Sequence, residues 1–192
     1  MHGAGSKSVI ARRANANART EGRNPGVPFD PSWFDGLRMN QSAVERRVAT
    51  LSARRAVKKN AQAAWLLKAV TCIDLTALSG DDTAARVRRL CWKARSPIRQ
   101  DMLDALGITN ATIHTGAVCV YHRFVATAVQ ALEGSGIPVA AVSTGFPAGL
   151  IPHALKLMEI EASVADGAAE IEIAVTREHV LTVNSRALYD EI

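Results

Sequence analysis

From Leu66 onward, apolar residues come in short blocks separated by helix-like polar stretches. Leu66 to Leu75 is a near-continuous apolar run and predicts a strand. Asp81, Asp82 and Thr83 then offer N-caps for a helix running through Ala94. Ala117 to Tyr121 predicts a second strand, followed by a helical pattern through Val125, Val129 and Leu132 that Gly134 and Gly136 close. Val139 to Val142 predicts a third strand, Pro152 to Ala165 a third helix, and Ala169 to Val175 a fourth strand. Leu188, Tyr189 and Ile192 open the apolar face of one more helix, with no capping glycine after it. The pattern therefore reads as part of a longer α/β protein cut near its middle.

Upstream of Leu66 the texture differs. Residues 1–31 are rich in Ala, Asn, Gly and Arg and poor in large apolar groups, so a disordered basic leader is expected. Pro25, Pro28 and Pro31 mark a linker. Trp33, Phe34 and Leu37 read as an anchor packing onto the body. Ser42 to Glu45 has the form of a capping box, with Val44, Val48 and Leu51 following at helical spacing. The expected division is 1–31 leader, 32–65 anchor and helix, and 66–192 α/β body.

Apolar strands alternating with helices of about 10–15 residues mean a parallel sheet covered by helices. An open doubly wound sheet usually carries a glycine fingerprint after its first strand. Here the first strand runs into DLTALSGDD, with neither G-x-G-x-x-G nor a P-loop. Polar residues recur instead at the strand ends: Asp74 and Thr76, Cys119 and Tyr121, Ser143 and Thr144, Glu170 and Glu172. That is where a (β/α)₈ barrel places its active site. The expected fold is the first four β/α units of such a barrel.

Composition narrows the partners. Apolar residues make up 48% of the 192, enough for a sizeable core. Apolar runs such as Ala63 to Leu67 fall far short of the roughly 18 residues of a membrane span, so no membrane partner is expected. No secretory leader pattern is present, which leaves the sequons at Asn40 and Asn110 silent. Cys72, Cys91 and Cys119 are odd in number and unpatterned, which points to reduced thiols in the cytoplasm rather than disulfides or a metal site. Residues 1–60 hold twelve Lys/Arg against four Asp/Glu; residues 61–192 hold eleven against fourteen. A basic arm can contact nucleic acid or an anionic surface, but no aromatic interleaving accompanies it. A solvated leader is the favoured reading, and a nucleic-acid partner is disfavoured.

Asp74 stands late in the first apolar run, where a carboxylate needs a partner or a function. Cys119 can be read as a nucleophile or as a small buried thiol; without a base at defined spacing the second is favoured. Glu170 and Glu172 alternate with Ile171 and Ile173, so both glutamates share one face. That face is either the barrel interior or the outside. His114, His122, His153 and His179 show no ligand spacing.

The block SARRAVKKNAQAAWLLKAVTCIDLTALSGDDT (52–83), together with RLCWKA, AVCVY, GFPAG, GAAEIEIAV and ALYDEI, resembles deoxyribose-phosphate aldolase of the longer eukaryotic type. The resemblance covers roughly residues 33–192, the N-terminal half of such a protein. It implies a (β/α)₈ barrel and a metal-free class I aldolase without cofactor. Such enzymes reversibly cleave 2-deoxyribose 5-phosphate to glyceraldehyde 3-phosphate and acetaldehyde. A strand-six lysine in a FIKTSTG-like motif forms the Schiff base, and a strand-seven lysine in a GFKPAGG-like motif lowers its pKa. An aspartate on strand four moves a proton.

Carried over, Asp74 matches the strand-one aspartate of the DLT motif and Thr76 lies in that motif. Cys119 matches the strand-two cysteine, and Thr76 and Cys119 are expected in the substrate pocket. Glu172 occupies the place of the strand-four aspartate, one methylene longer. The six lysines are Lys7, Lys58, Lys59, Lys68, Lys93 and Lys156, and none lies in the Schiff-base motif. Lys68 is expected at the start of strand one. The sequence thus predicts an aldolase half that is inert alone, with homo-oligomerisation into a pseudo-barrel and a non-catalytic interaction protein using the basic arm as the alternatives.

Overall fold

The computed structural model describes residues 26–54, 57–108 and 112–192. Most of the expected basic leader, and the Asn110 sequon, lie outside the described residues. The chain divides into two units, 1–35 and 36–192. In the first, the Asp30 carboxylate accepts from Ser32 N at 2.9 Å and opens a short 3₁₀ turn, Pro31–Phe34. The Phe29 ring sits 6.1 Å from Trp33 and 6.2 Å from Phe34.

The second unit begins with helix α1, Gln41–Arg54. Asn40 caps it, its Oδ1 accepting from Ala43 N at 3.0 Å. The start therefore lies at Asn40 rather than Ser42, since asparagine is as strong an N-cap as serine. Glu45 does not close a capping box; it accepts from the Gln41 side chain at 2.7 Å. Helix α2, Lys59–Val70, corrects a second expectation. Its sequence KNAQAAWLLKAV is dominated by Ala, Leu, Lys and Gln, which favour helix, with no β-branched residue before Val70. It captures Leu66 to Val70, the first half of the run expected as strand. Lys68 consequently sits in the last turn of α2 and not on a strand.

Strand β1 is only Asp74–Ala77, so Asp74 opens it rather than standing late in it. Helix α3, Ala84–Arg95, is capped by Thr83 Oγ1, which accepts from Arg86 N. A short helix α4, Gln100–Ala105, follows. Next come β2 (Ala117–Tyr121), a 3₁₀ turn (His122–Phe124) and α5 (Val125–Ala131). The chain continues through β3 (Val139–Ser143), α6 (His153–Ala165) and β4 (Glu170–Ile173). Two short helices complete it, α7 (Arg177–Leu181) and α8 (Ser185–Glu191), the latter carrying Leu188 and Tyr189 as the sequence predicts.

All four strands are parallel, in the order β1-β2-β3-β4. Consecutive parallel neighbours joined by helical crossovers are the arrangement of one half of an eight-stranded α/β barrel. Period two sorts the two faces. Val118, Val120, Val139 and Ala141 point to one side and pack with Val87, Cys91 and Ala94 of α3 and Val125 and Ala128 of α5. Each fully buried valine there contributes roughly 1.5–3 kcal/mol. Cys119, Ala140 and Val142 point to the other side, against Leu78 and Tyr121.

Candidate site on the open face of the sheet

The register fixes what the second face displays. Thr76 pairs with Cys119, Cys119 with Ala140, and Ala140 with Glu170. One step along, Tyr121 pairs with Val142 and Val142 with Glu172. Asp74, Thr76, Cys119, Tyr121, Glu170 and Glu172 thus share one surface, opposite the packed helices. Of the two faces open to the glutamates, they take the one opposite the packed helices, which in a (β/α)₈ barrel is the interior. Asp74, Thr76, Glu170 and Glu172 are exposed, and Cys119 is buried beneath them.

Electrostatics ties three of these residues together. Burial pushes the Cys119 thiol up to about 12, and the neighbouring carboxylates of Glu172 and then Asp74 push in the same direction. The thiol stays protonated at neutral pH and is a poor nucleophile. Cys119 on β2 thus feels carboxylates from two other strands, Asp74 on β1 and Glu172 on β4. The five described lysines all sit on or beside helices: Lys58 at the N-cap of α2, Lys59 and Lys68 in it, Lys93 in α3 and Lys156 in α6. None stands on a strand.

Beyond the strand ends, two loops are stitched together. The Thr144 hydroxyl, just past β3, lies 2.9 Å from the Ala174 carbonyl and accepts from Ala174 N at 2.6 Å. The Thr176 hydroxyl lies 3.1 Å from the Gly149 carbonyl. Gly149 has φ +70°, and a Cβ there would meet the Ala174 carbonyl oxygen at 2.7 Å, so only glycine lets the loops approach. Behind them the Lys156 ammonium, almost fully buried, donates to Thr176 Oγ1 at 2.9 Å and pairs with Glu191. Burial alone would raise the Glu191 carboxyl, but hydrogen bonds from Lys156 and Thr176 outweigh it and hold the group below its ordinary value. Sequence reading missed Thr176 and Glu191 and set Lys156 aside. They lie 15 to 35 residues apart, and no local pattern joins them.

The histidines fall elsewhere. His122 Nδ1 lies 3.2 Å from Ser163 Oγ, and its other nitrogen 3.9 Å from Asp166. Ser163 is fully buried and donates to its own helix at Glu159 O, which makes this grouping structural. His153 and His179 line a cleft of about 450 Å³ with Lys156 and Glu191. Among the described residues, no group of three or more His, Cys, Asp or Glu gathers to hold a metal, and no helix is long and apolar enough to cross a membrane.

Four consecutive parallel strands covered by helices on one face define the class: a partial (β/α) barrel. No family model matches the chain. Individual relatives do. Deoxyribose-phosphate aldolase of Bos taurus is 54% identical over 169 residues, 87% of this chain and 53% of the relative. The Homo sapiens protein of the same name is 53% identical over 171 residues, 88% of this chain and 54% of that one. Among solved structures, a Coccidioides immitis protein assigned as a deoxyribose-phosphate aldolase superposes with a TM-score of 0.54 at 19% identity, covering 80% of this chain and 55% of that one. The deoxyribose phosphate aldolase of Aeropyrum pernix, described as tetrameric, gives 0.50 at 22% identity over 65% and 44%. At those identities the structures speak for the fold. The chain is a homologue of the deoxyribose-phosphate aldolases and spans about half the length of the curated relatives it matches.

Proposed function

We propose that this chain supplies the β1–β4 wall of a class I deoxyribose-phosphate aldolase site, acting on 2-deoxyribose 5-phosphate. The observation that carries this reading is the convergence of Asp74, Cys119 and Glu172, from three strands, on one exposed face. These are the positions at which the aldolase motifs match. Glu172 is the proton carrier in this reading: its carboxylate takes the hydroxyl proton as the carbon–carbon bond breaks and the aldehyde fragment leaves, and gives it to the carbon that stays behind as the enamine. Asp74 and Thr76 orient the sugar, and Cys119 fills the floor beneath it as a neutral thiol. The electron sink is a protonated imine on a lysine that this face does not hold. A complementary β/α half contributes that lysine. The unpaired cysteines fit a reducing, cytoplasmic setting.

The 192-residue chain is expected to show no retro-aldol turnover and no imine trapped by borohydride in the presence of substrate. Either signal would sink the reading. Mixed with the remaining half of the bovine relative, it should regain cleavage. In that mixture Glu172→Asp should shift the rate by up to about 100-fold, because an ångström of carboxylate displacement has that leverage.

A further inference from the structure

Thr144 combines two features that nothing above requires of it. It is β-branched, yet its backbone has φ +65°, a left-handed conformation that such residues avoid. It is also 5% exposed, with its hydroxyl placed between two strands. Strain of this kind costs of order 1–3 kcal/mol and persists only where its surroundings impose it.

The surroundings show what is gained. Regular β3–β4 pairing ends at Ser143 and Ile173. The next two residues are Thr144 and Ala174, and there the Thr144 side chain reinforces a long backbone bond, 3.4 Å from Ala174 N to Ser143 O. It accepts from Ala174 N at 2.6 Å and lies 2.9 Å from Ala174 O. Ala174 is two residues past Glu172, on the same strand direction. A second rung follows from Thr176 Oγ1 to Gly149 O at 3.1 Å, backed by Lys156 and Glu191. The end of β4 is therefore held from the β3 side at two points directly beyond the carboxylate.

We infer that Thr144 is a positioning residue for Glu172, with Thr176 as its second rung. The inference rests on the aldolase reading only for the use to which Glu172 is put. The geometry it claims is independent of turnover: without the Thr144 hydroxyl the end of β4 slips, and the Glu172 carboxylate leaves its place above Cys119.

Cys119 reports this without any activity assay. In the full chain, alkylation of Cys119 by iodoacetamide is followed across alkaline pH, with the Cys119 peptide quantified by mass spectrometry. Burial is the first cause of the raised thiol, so a general loosening lowers the midpoint whether or not Glu172 is present. Displacement of Glu172 lowers it only where that carboxylate is present. Thr144→Val is therefore also made in the Glu172→Gln chain, where a further drop overturns the inference. Thr144→Val, which keeps shape and branching but lacks the hydroxyl, should lower it by about one unit, a tenfold gain in thiolate at fixed pH. Glu172→Gln should do the same, and Thr144→Ser should keep the wild-type midpoint. An unmoved midpoint in Thr144→Val beside a lowered one in Glu172→Gln overturns the inference. So does an unmoved midpoint in Glu172→Gln. Should Thr144→Val fail to fold, Thr176→Val tests the second rung by the same reading. A failed aldolase reconstitution with these midpoints as expected would remove the functional reading and leave the positioning role standing.

Discussion

The two faces of the sheet are built from the same four strands, one residue apart, and do opposite work. On the helix side Val118 and Val120 are fully buried among Val87, Cys91 and Val125. On the open side Asp74, Thr76, Glu170 and Glu172 are exposed above a thin apolar floor of Cys119, Ala140 and Val142. Stability is concentrated on the first face and chemical potential on the second. A one-residue step along any strand crosses from one regime to the other.

This contrast can be broken deliberately. The largest effect is expected from Val120→Asp, which places an unpaired charge in the sealed face. Its cost is of the order of the ~5–15 kcal/mol total stability of a domain, so circular dichroism should show loss of the fold. Next comes Lys156→Met behind the loop stitch. Removing one partner of a buried ion pair costs about 3–5 kcal/mol, read as a lower urea midpoint, and adding Glu191→Leu should recover most of it. Acid gives a milder test of the same pair. The Glu191 carboxyl is lowered in the fold, so its contribution is complete above its unfolded value of about 4.5 and fades as pH falls through the lower folded value. In Glu191→Gln that acid limb should flatten. The smallest change is expected from Glu172→Gln on the open face, within about 0.5 kcal/mol of wild type in urea. A large loss there would mean that the open face also carries stability.

Legibility followed the reach of each physical signal. Strand β2 was readable residue for residue because AVCVY is apolar throughout and followed by a helical pattern. Strand β1 was misplaced because apolar content alone cannot tell a buried helix from a strand, and Leu66 to Val70 went to α2. The shared face of Glu170 and Glu172 followed from period two, but its side depended on register with β3, which only tertiary pairing sets. Asp74, Cys119 and Glu172 are singled out by motif resemblance, and the strand register brings them to one face. The Thr144–Ala174 and Lys156–Thr176–Glu191 contacts were not legible, since they join segments 15 to 35 residues apart without periodicity.

The three cysteines end up sorted as chemical handles. Cys72 is exposed just past the end of α2, Cys91 is sealed behind the sheet, and Cys119 is kept protonated by burial first and by two neighbouring carboxylates second. A maleimide dye applied at neutral pH should therefore mark Cys72 first. That gives a single fluorescent tag at the base of the sheet, remote in sequence from every residue of the loop stitch, without removing any native cysteine.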